Sequence, residues 1–194
     1  MAAHFITQRY SRQGLASLFL TCAFPLHLWT LILVFRDIAW LTERTNLWDA
    51  IGVASYGMLF AFAESVVIFL LLVLLGFVIP KHWHSDRRIT FLALLILITS
   101  LWGMISQLLF LWNVPLPPQA IQFLRNSNHP LRILYAGCLA IVTPTVLLPV
   151  YLFIKSNKSV AFMQNMMERI SLLTMFYLLF DLLGLAIVII RNLN

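Results

Sequence analysis

Charged residues are scarce in this chain, and their scarcity decides the class of protein. Asp, Glu, Lys and Arg make up 10% of its 194 residues, whereas 61% of the residues are hydrophobic. A soluble domain carries roughly 25% charged residues, which keep its surface in contact with water. So few charges exclude a soluble globular fold of this length. We therefore predict an integral membrane protein that forms a single transmembrane helical domain over residues 1–194.

Cysteines and catalytic signatures are also lacking. The 2 cysteines, Cys22 and Cys138, lie in separate apolar segments and show no spacing typical of a disulfide framework or a zinc site. The sequence contains no phosphate-binding loop, GxSxG or HExxH pattern. We therefore predict that the protein is not an enzyme, and we assign no catalytic, cofactor-binding or metal-ligating residue.

The histidines allow two alternative kinds of site. His82 and His84 beside Asp86 form a weak candidate metal site, but such a short basic loop is more typical of anchoring at lipid headgroups. His27 lies in an apolar segment, and a bis-histidine haem would need a second histidine at membrane depth, which the sequence lacks. Only a porphyrin with a single axial histidine stays open.

Acidic residues are outnumbered, with Asp+Glu 7 against Lys+Arg 13. The basic residues are scattered through the connecting segments and form no basic element, which argues against a nucleic-acid partner. They are more typical of topology determinants. One side of the predicted helices collects 8 of them and the other side 5; the richer side holds Arg9, Arg12, Lys81, Arg87, Arg88, Lys155, Lys158 and Arg169. We therefore predict a cytoplasmic N-terminus and an external C-terminus, with a bacterial cytoplasmic membrane as the expected location.

What the sequence does contain is long apolar segments. There are five of them, at about residues 15–35, 49–79, 89–112, 132–154 and 169–190. Each is close to or above the roughly 20 residues that cross a bilayer as a helix. The segments are continuous and do not alternate, so they exclude the strands of a membrane β-barrel. The first segment is longer than the apolar part of a signal peptide, and we expect it to be retained. The predicted fold is an all-α bundle of five transmembrane helices.

The connections between the segments differ in character. Residues Arg36–Trp48 mix charges with apolar side chains, and we expect them to lie on the membrane surface as a partly helical segment. The segment Asn113–Pro130 opens with Pro115, Pro117 and Pro118, which oppose a helix, and a short interfacial turn is expected around Gln119–Arg125. Residues Lys155–Arg169 are predicted to lead into the last helix.

Three ionisable residues lie at mid-membrane depth: His27, Glu64 and Asp181. Placing a charged side chain at that depth costs at least about 2.5–3.5 kcal/mol on insertion scales, so such residues face other helices and find partners. Gly57, Ala61, Glu64 and Ser65 share one stripe of the second helix, and Thr174, Tyr177, Asp181 and Gly184 share one stripe of the fifth. We predict an intramembrane polar cluster of His27, Glu64, Asp181, Gln107 and Tyr177.

Two functions are compatible with these features. The first is a non-catalytic accessory or scaffold subunit of a membrane complex, whose partners are the lipid bilayer and other membrane subunits. The alternative is a small transporter or channel-like protein that couples movement of a solute to protons or cations through Glu64, Asp181 and His27. Small size and the lack of motifs favour the first, and the mid-membrane acids together with the prolines inside the first and fourth segments favour the second.

Overall fold

The computed structural model describes residues 10–80 and 82–193 of the chain, and within these residues the protein is helical without strands. Six helices follow one another: α1 Arg12–Arg44, α2 Leu47–Leu75, α3 Ser85–Leu111, α4 Pro118–Arg125, α5 Pro130–Lys155 and α6 Asn157–Leu193. All except the eight-residue α4 are long and apolar enough to cross a membrane. The predictions of an all-α fold and of five helices long and apolar enough to span a membrane are therefore confirmed, and the architecture fits a polytopic membrane protein.

Polar side chains cap the first two spanning helices. Ser11 Oγ accepts a hydrogen bond from the backbone N–H of Gly14 at 3.0 Å, which satisfies one of the unpaired donors in the first turn of α1. Asn46 does the same for α2 through Asp49 N–H at 2.8 Å. α4 begins with Pro118 at a position where no amide donor is needed. It covers the turn predicted around Gln119–Arg125 and begins at the last of the three prolines.

α1 and α6 extend beyond the predicted apolar segments. The segment from Arg36 to Arg44, predicted to lie on the membrane surface, continues α1 as helix, and residues 157–168 form the first turns of α6. The reason is local, because neither segment contains a glycine or proline that would end a helix. Pro25 lies inside α1 without ending it. Hydrophobicity marks the part of a helix that crosses the membrane, and the helix itself is longer.

The core of the bundle is built from α1, α2, α3 and α6, with α1 in contact with each of the other three. Apolar side chains from all four helices meet there, among them Leu18, Cys22, Leu72, Ile89, Leu92 and Met167. α5 is peripheral, and Phe153 is its only buried residue among those that the structure describes. Phe153 packs against Trp83 and Phe91, and Trp102 of α3 donates to Thr145 Oγ1 of α5 at 3.0 Å.

The two ends of the bundle are fastened differently. At the end where α1, α3 and α6 begin, here called the basic end, the Tyr10 hydroxyl donates to the Val73 carbonyl at 2.9 Å. Buried Arg88 donates there to the carbonyls of Pro80 and Trp83. At the opposite end, Arg191 of α6 donates to the Trp48 carbonyl at 2.6 Å and to Asp49 Oδ1 at 2.8 Å. Arg9 and Lys81, two of the residues used to predict the orientation, lie outside the described part of the chain.

α1 and α6 run parallel and in fixed register. The hydroxyls of Ser17 and Ser171 lie 3.5 Å apart, and His27 lies 2.9 Å from Asp181. The two residues of each pair are 154 positions apart in sequence, so the register between the two helices is constant over ten residues. At 1.5 Å per residue this interface is about 15 Å long. It is the interface that positions the candidate site.

Candidate functional site

The centre of the α1–α6 interface holds a buried histidine–aspartate pair. Pro25 lies two residues before His27 in α1, and the His27 side chain is fully buried. Its Nε2 is 2.9 Å from Asp181 Oδ2, and Asp181 is 5% exposed. Asp181 belongs to the stripe of α6 on which Thr174 and Gly184 are also buried. This stripe faces the bundle, and Gly184 allows close approach to the Ser55 backbone of α2.

The hydrogen bonds of His27 show that Nδ1 carries a hydrogen and that His27 and Asp181 share a second proton. Nδ1 is 2.7 Å from the backbone carbonyl of Ala23. A carbonyl oxygen cannot donate, so Nδ1 must carry the hydrogen of this bond. The 2.9 Å contact between Nε2 and Asp181 then needs a second proton, carried either by Nε2 as imidazolium or by the carboxyl group. In both forms the pair as a whole is neutral, and a neutral pair is the form that a low-dielectric site tolerates best.

Tyr177 and one carboxylate oxygen complete the surroundings of the pair. The Tyr177 ring lies parallel to the His27 imidazole, with ring centres 6.1 Å apart and an interplanar angle of 8°. Asp181 Oδ1 is buried and has no hydrogen-bond partner among the described residues. A buried carboxylate oxygen ordinarily accepts at least one hydrogen bond. Oδ1 is therefore an atom of the pair whose accepting capacity none of the described residues uses.

A polar cleft approaches the pair from the basic end. It has a volume of about 750 Å³ and lies between the first turns of α1 and α3 and residues 164–175 of α6. Its lining is rich in hydroxyl, amide and carboxylate groups: Ser11, Gln13, Ser17, Asp86, Thr90, Gln164, Asn165, Glu168 and Ser171. Between the Ser17–Ser171 contact and His27, the α1–α6 interface contains two further buried hydroxyls, those of Thr21 and Thr174. Each donates to a carbonyl of its own helix, and its oxygen remains able to accept.

Glu64 is not part of this cluster. The sequence predicts that Glu64 faces other helices, but its side chain is exposed and has no hydrogen bond or ion pair with any residue that the structure describes. The neighbouring small residues Ala61 and Ser65 are buried instead. Because successive residues of a helix are rotated by about 100°, Glu64 lies well round the helix from Ser65. The stripe predicted on α2 is therefore too wide, because it includes Glu64, which lies at its edge and points out of the bundle.

Glu64 lies instead at one end of an outer groove between α1 and α2. The groove has a volume of about 730 Å³. Residues that the sequence did not single out line it together with Glu64, among them Trp29, Leu33 and Asp37 of α1 and Phe60 of α2. Aromatic and small residues on facing sides of two helices are the only sequence signal of such a groove, and that signal also fits ordinary helix packing.

The remaining predicted residue, Gln107, does not reach the pair either. Its side chain is exposed on α3, four residues before the helix ends at Leu111. Of the five residues predicted to cluster, the structure therefore brings together His27, Asp181 and Tyr177. Among the described residues, no group of three or more His, Cys, Asp or Glu side chains is arranged to hold a metal ion.

Comparison with known proteins gives no further guidance to the site. No protein-family model, curated protein or solved structure matches this chain.

Proposed function

We propose that the protein is a non-catalytic accessory subunit of a membrane complex, embedded in the bacterial cytoplasmic membrane. The observation that carries this proposal is the exposed carboxyl group of Glu64 in the middle of α2. Glu64 is eleven residues before the end of α2 at Leu75, which places it about 17 Å from that end and close to the centre of a bilayer core of roughly 30 Å.

An outward carboxyl group at that depth is costly in a lone protein. Lipid chains offer no hydrogen bond, and the insertion cost of a mid-membrane acid is about 2.5–3.5 kcal/mol. Apolar side chains on the outside of the bundle need no partner, because lipid covers them as well as protein does. Glu64 is different, since only another polypeptide or a polar molecule can satisfy it at that position. A second membrane subunit docked on α2 does so.

The test is the native mass of the protein after mild detergent extraction from its own organism. The expected result is a complex whose mass is not a whole multiple of the mass of this chain, with other subunits in fixed ratio. Glu64→Leu is expected to abolish that complex while the chain still accumulates in the membrane. Val67→Leu is the matched control, because Val67 is also exposed on α2 and its replacement by leucine exchanges one apolar side chain for another. The accessory role would be refuted if the native mass of the wild-type protein showed only copies of this chain and if Glu64→Leu left that mass unchanged.

A second candidate function rests on the His27–Asp181 pair. The pair carries a proton between two groups that can each hold it, at the inner end of a hydroxyl-lined interface that begins in a polar cleft. These features suit a proton-coupled transporter or channel-like protein. Proteoliposomes with a trapped pH dye test this candidate. Wild-type protein should dissipate an imposed pH gradient, and His27→Gln, which cannot become a cation, should not. Equal rates for wild type, His27→Gln and empty vesicles would exclude it.

A further inference from the structure

The groove between α1 and α2 has features that define its occupant. We infer that it binds a transmembrane helix of a different polypeptide that carries an arginine or lysine at mid-membrane depth, paired with Glu64. This inference rests on the proposed accessory function and names the chemistry of the partner. The surface formed by Trp29, Leu33, Asp37, Gly57, Phe60 and Glu64 is called the Glu64 groove.

The shape of the Glu64 groove suits a helix. α1 and α2 pack closely beneath it, because a side chain added at Gly57 would meet Thr30 of α1 at 3.4 Å. Ala50 and Ala54 continue the line of small residues along the groove. Ala50 is buried, so these small residues bring α1 and α2 close together and form the floor of the groove, on which another helix can lie. Trp29 provides a larger wall on the α1 side.

The charge of the Glu64 groove is of one sign. Asp37 and Glu64 are its only charged lining residues among those that the structure describes. Asp37 already has Arg36 as a neighbour, with the Nε and Oδ1 atoms 3.5 Å apart. Glu64 has no such neighbour within the described residues, so the missing cation belongs to the occupant. In the low dielectric of a membrane, an acid and a base at the same depth attract each other far more strongly than in water.

A second copy of this chain does not supply that cation. Gly57 lies beside Thr30, and α1 and α2 run antiparallel, so Glu64 lies at about the level of residue 23 of α1. By the same helix rise, Arg36 is about 20 Å from that level, and Arg169 is about 12 Å from it through the register with α1. His27 is nearer, but it is buried and bonded to Asp181. Copies in one membrane share these depths, so the partner is a different protein.

The probe for this inference is a synthetic transmembrane peptide. A leucine–alanine helix of about 23 residues with one central arginine is reconstituted with the full-length protein in phosphatidylcholine vesicles. Control peptides carry leucine or glutamate at the centre. Association is measured by energy transfer between labels on peptide and protein. The arginine peptide is expected to associate roughly 5- to 30-fold more tightly than the leucine peptide, the range that one interhelical polar contact of about 1–2 kcal/mol supports.

Substitutions at Glu64 locate the contact. Glu64→Gln keeps the shape of the side chain and a hydrogen-bond acceptor but removes the charge. In this variant the affinity for the arginine peptide is expected to fall close to the affinity for the leucine peptide. Glu64→Lys should reverse the preference, so that the glutamate peptide associates best. Val67→Leu should change nothing. If the arginine peptide gains nothing over leucine, or if Glu64→Gln leaves its advantage intact, the inference is wrong.

Three further outcomes are informative, and the last two separate this inference from the accessory role. Preferential binding of the glutamate peptide to the wild-type protein would indicate a carboxyl–carboxyl contact, as between two copies of α2, and would overturn the assigned chemistry. Foreign subunits in the native complex together with an inactive arginine peptide would leave the accessory role standing and reject the basic helix. Absence of foreign subunits with a strong arginine preference would reject the accessory role and keep the groove chemistry.

Discussion

At the scale of single residues, the carboxyl groups of Asp181 and Glu64 illustrate two ways of placing an acid in an apolar helix. Asp181 is buried against His27, and Glu64 is exposed on the outside of α2. Both are acids near the centre of long apolar segments, so sequence patterning predicts the same environment for both. Only the packing of the helices separates an acid that pairs with a side chain of the same chain from one that pairs with none of the described residues.

The first residue prediction concerns the proton held by His27 and Asp181. Asp181→Leu leaves a fully buried imidazole without its Nε2 partner and is expected to lower the free energy of unfolding by about 1–3 kcal/mol. Asp181→Asn should cost much less, because its amide N–H can donate to Nε2 of a neutral ring whose Nδ1 donates to Ala23. Unfolding in mixed SDS micelles, followed by tryptophan fluorescence, measures both.

The control for this prediction is Leu182→Ala, because the Leu182 side chain is exposed beside Asp181 on α6. Equal losses for the asparagine and leucine variants would mean that the pair is an ion pair that an amide cannot replace. No loss for either would show that the contact does not stabilise the α1–α6 interface.

The second residue prediction concerns Gly76, which lies against the Tyr10 hydroxyl. A methyl group at this position would overlap that hydroxyl and break its hydrogen bond to the Val73 carbonyl. Gly76→Ala is expected to lower stability by about 1–3 kcal/mol, the usual cost of overpacking. Gly103→Ala has no heavy atom within 4 Å of the added group and should be neutral or slightly stabilising. Thermal unfolding in detergent compares them, and a harmless Gly76→Ala would show that Tyr10 is free to move away.

At the scale of helices, the five spans were predictable and their ends were not. Continuous apolar segments identify a spanning helix because lipid forces the backbone to satisfy its own hydrogen bonds. The charged ends of α1 and α6 carry no such signal, since helix formation there depends on the absence of glycine and proline. The polar stripe of α6 was visible from the spacing of Thr174, Asp181 and Gly184. The pairing of Asp181 with His27 was not, because depth alone cannot say which helices are neighbours.

The helix-scale prediction concerns the weak attachment of α5. Phe153, its single buried side chain among the described residues, is 1% exposed and joins the aromatic cluster of Trp83 and Phe91. Phe153→Ala is expected to release α5 from α3. Spin labels at Gly103 and Leu147 should then report a longer and broader distance.

The control for the α5 prediction is Leu152→Ala, because Leu152 is 47% exposed and its loss removes little packing. This variant should leave the distance between the spin labels as it is in the wild type. An unchanged distance in Phe153→Ala as well would mean that the Trp102–Thr145 contact is sufficient to hold α5 on α3.

At the scale of the whole molecule, the orientation in the membrane remains a prediction from charge. The excess of basic residues, 8 against 5, favours a cytoplasmic location for the basic end. In a background with Cys22 and Cys138 replaced by alanine, Ser127→Cys is expected to react with an impermeant maleimide on intact cells. Asn157→Cys should react only after permeabilisation. The reverse pattern would invert the topology and move the polar cleft to the outside.

The parallel register of α1 and α6 also has a consequence for biosynthesis. Asp181 leaves the ribosome 154 residues after His27, which at cellular rates of about 5–20 residues per second is a delay of roughly 8 to 30 s. During that time His27 and Asp49 are in the membrane without the partners that α6 brings to both of them. The nascent chain is therefore an incomplete bundle that only its last helix closes. A chain stopped after Ser156 should be degraded faster than the full chain in a pulse–chase experiment, and equal half-lives would mean that the first four spans are stable without it.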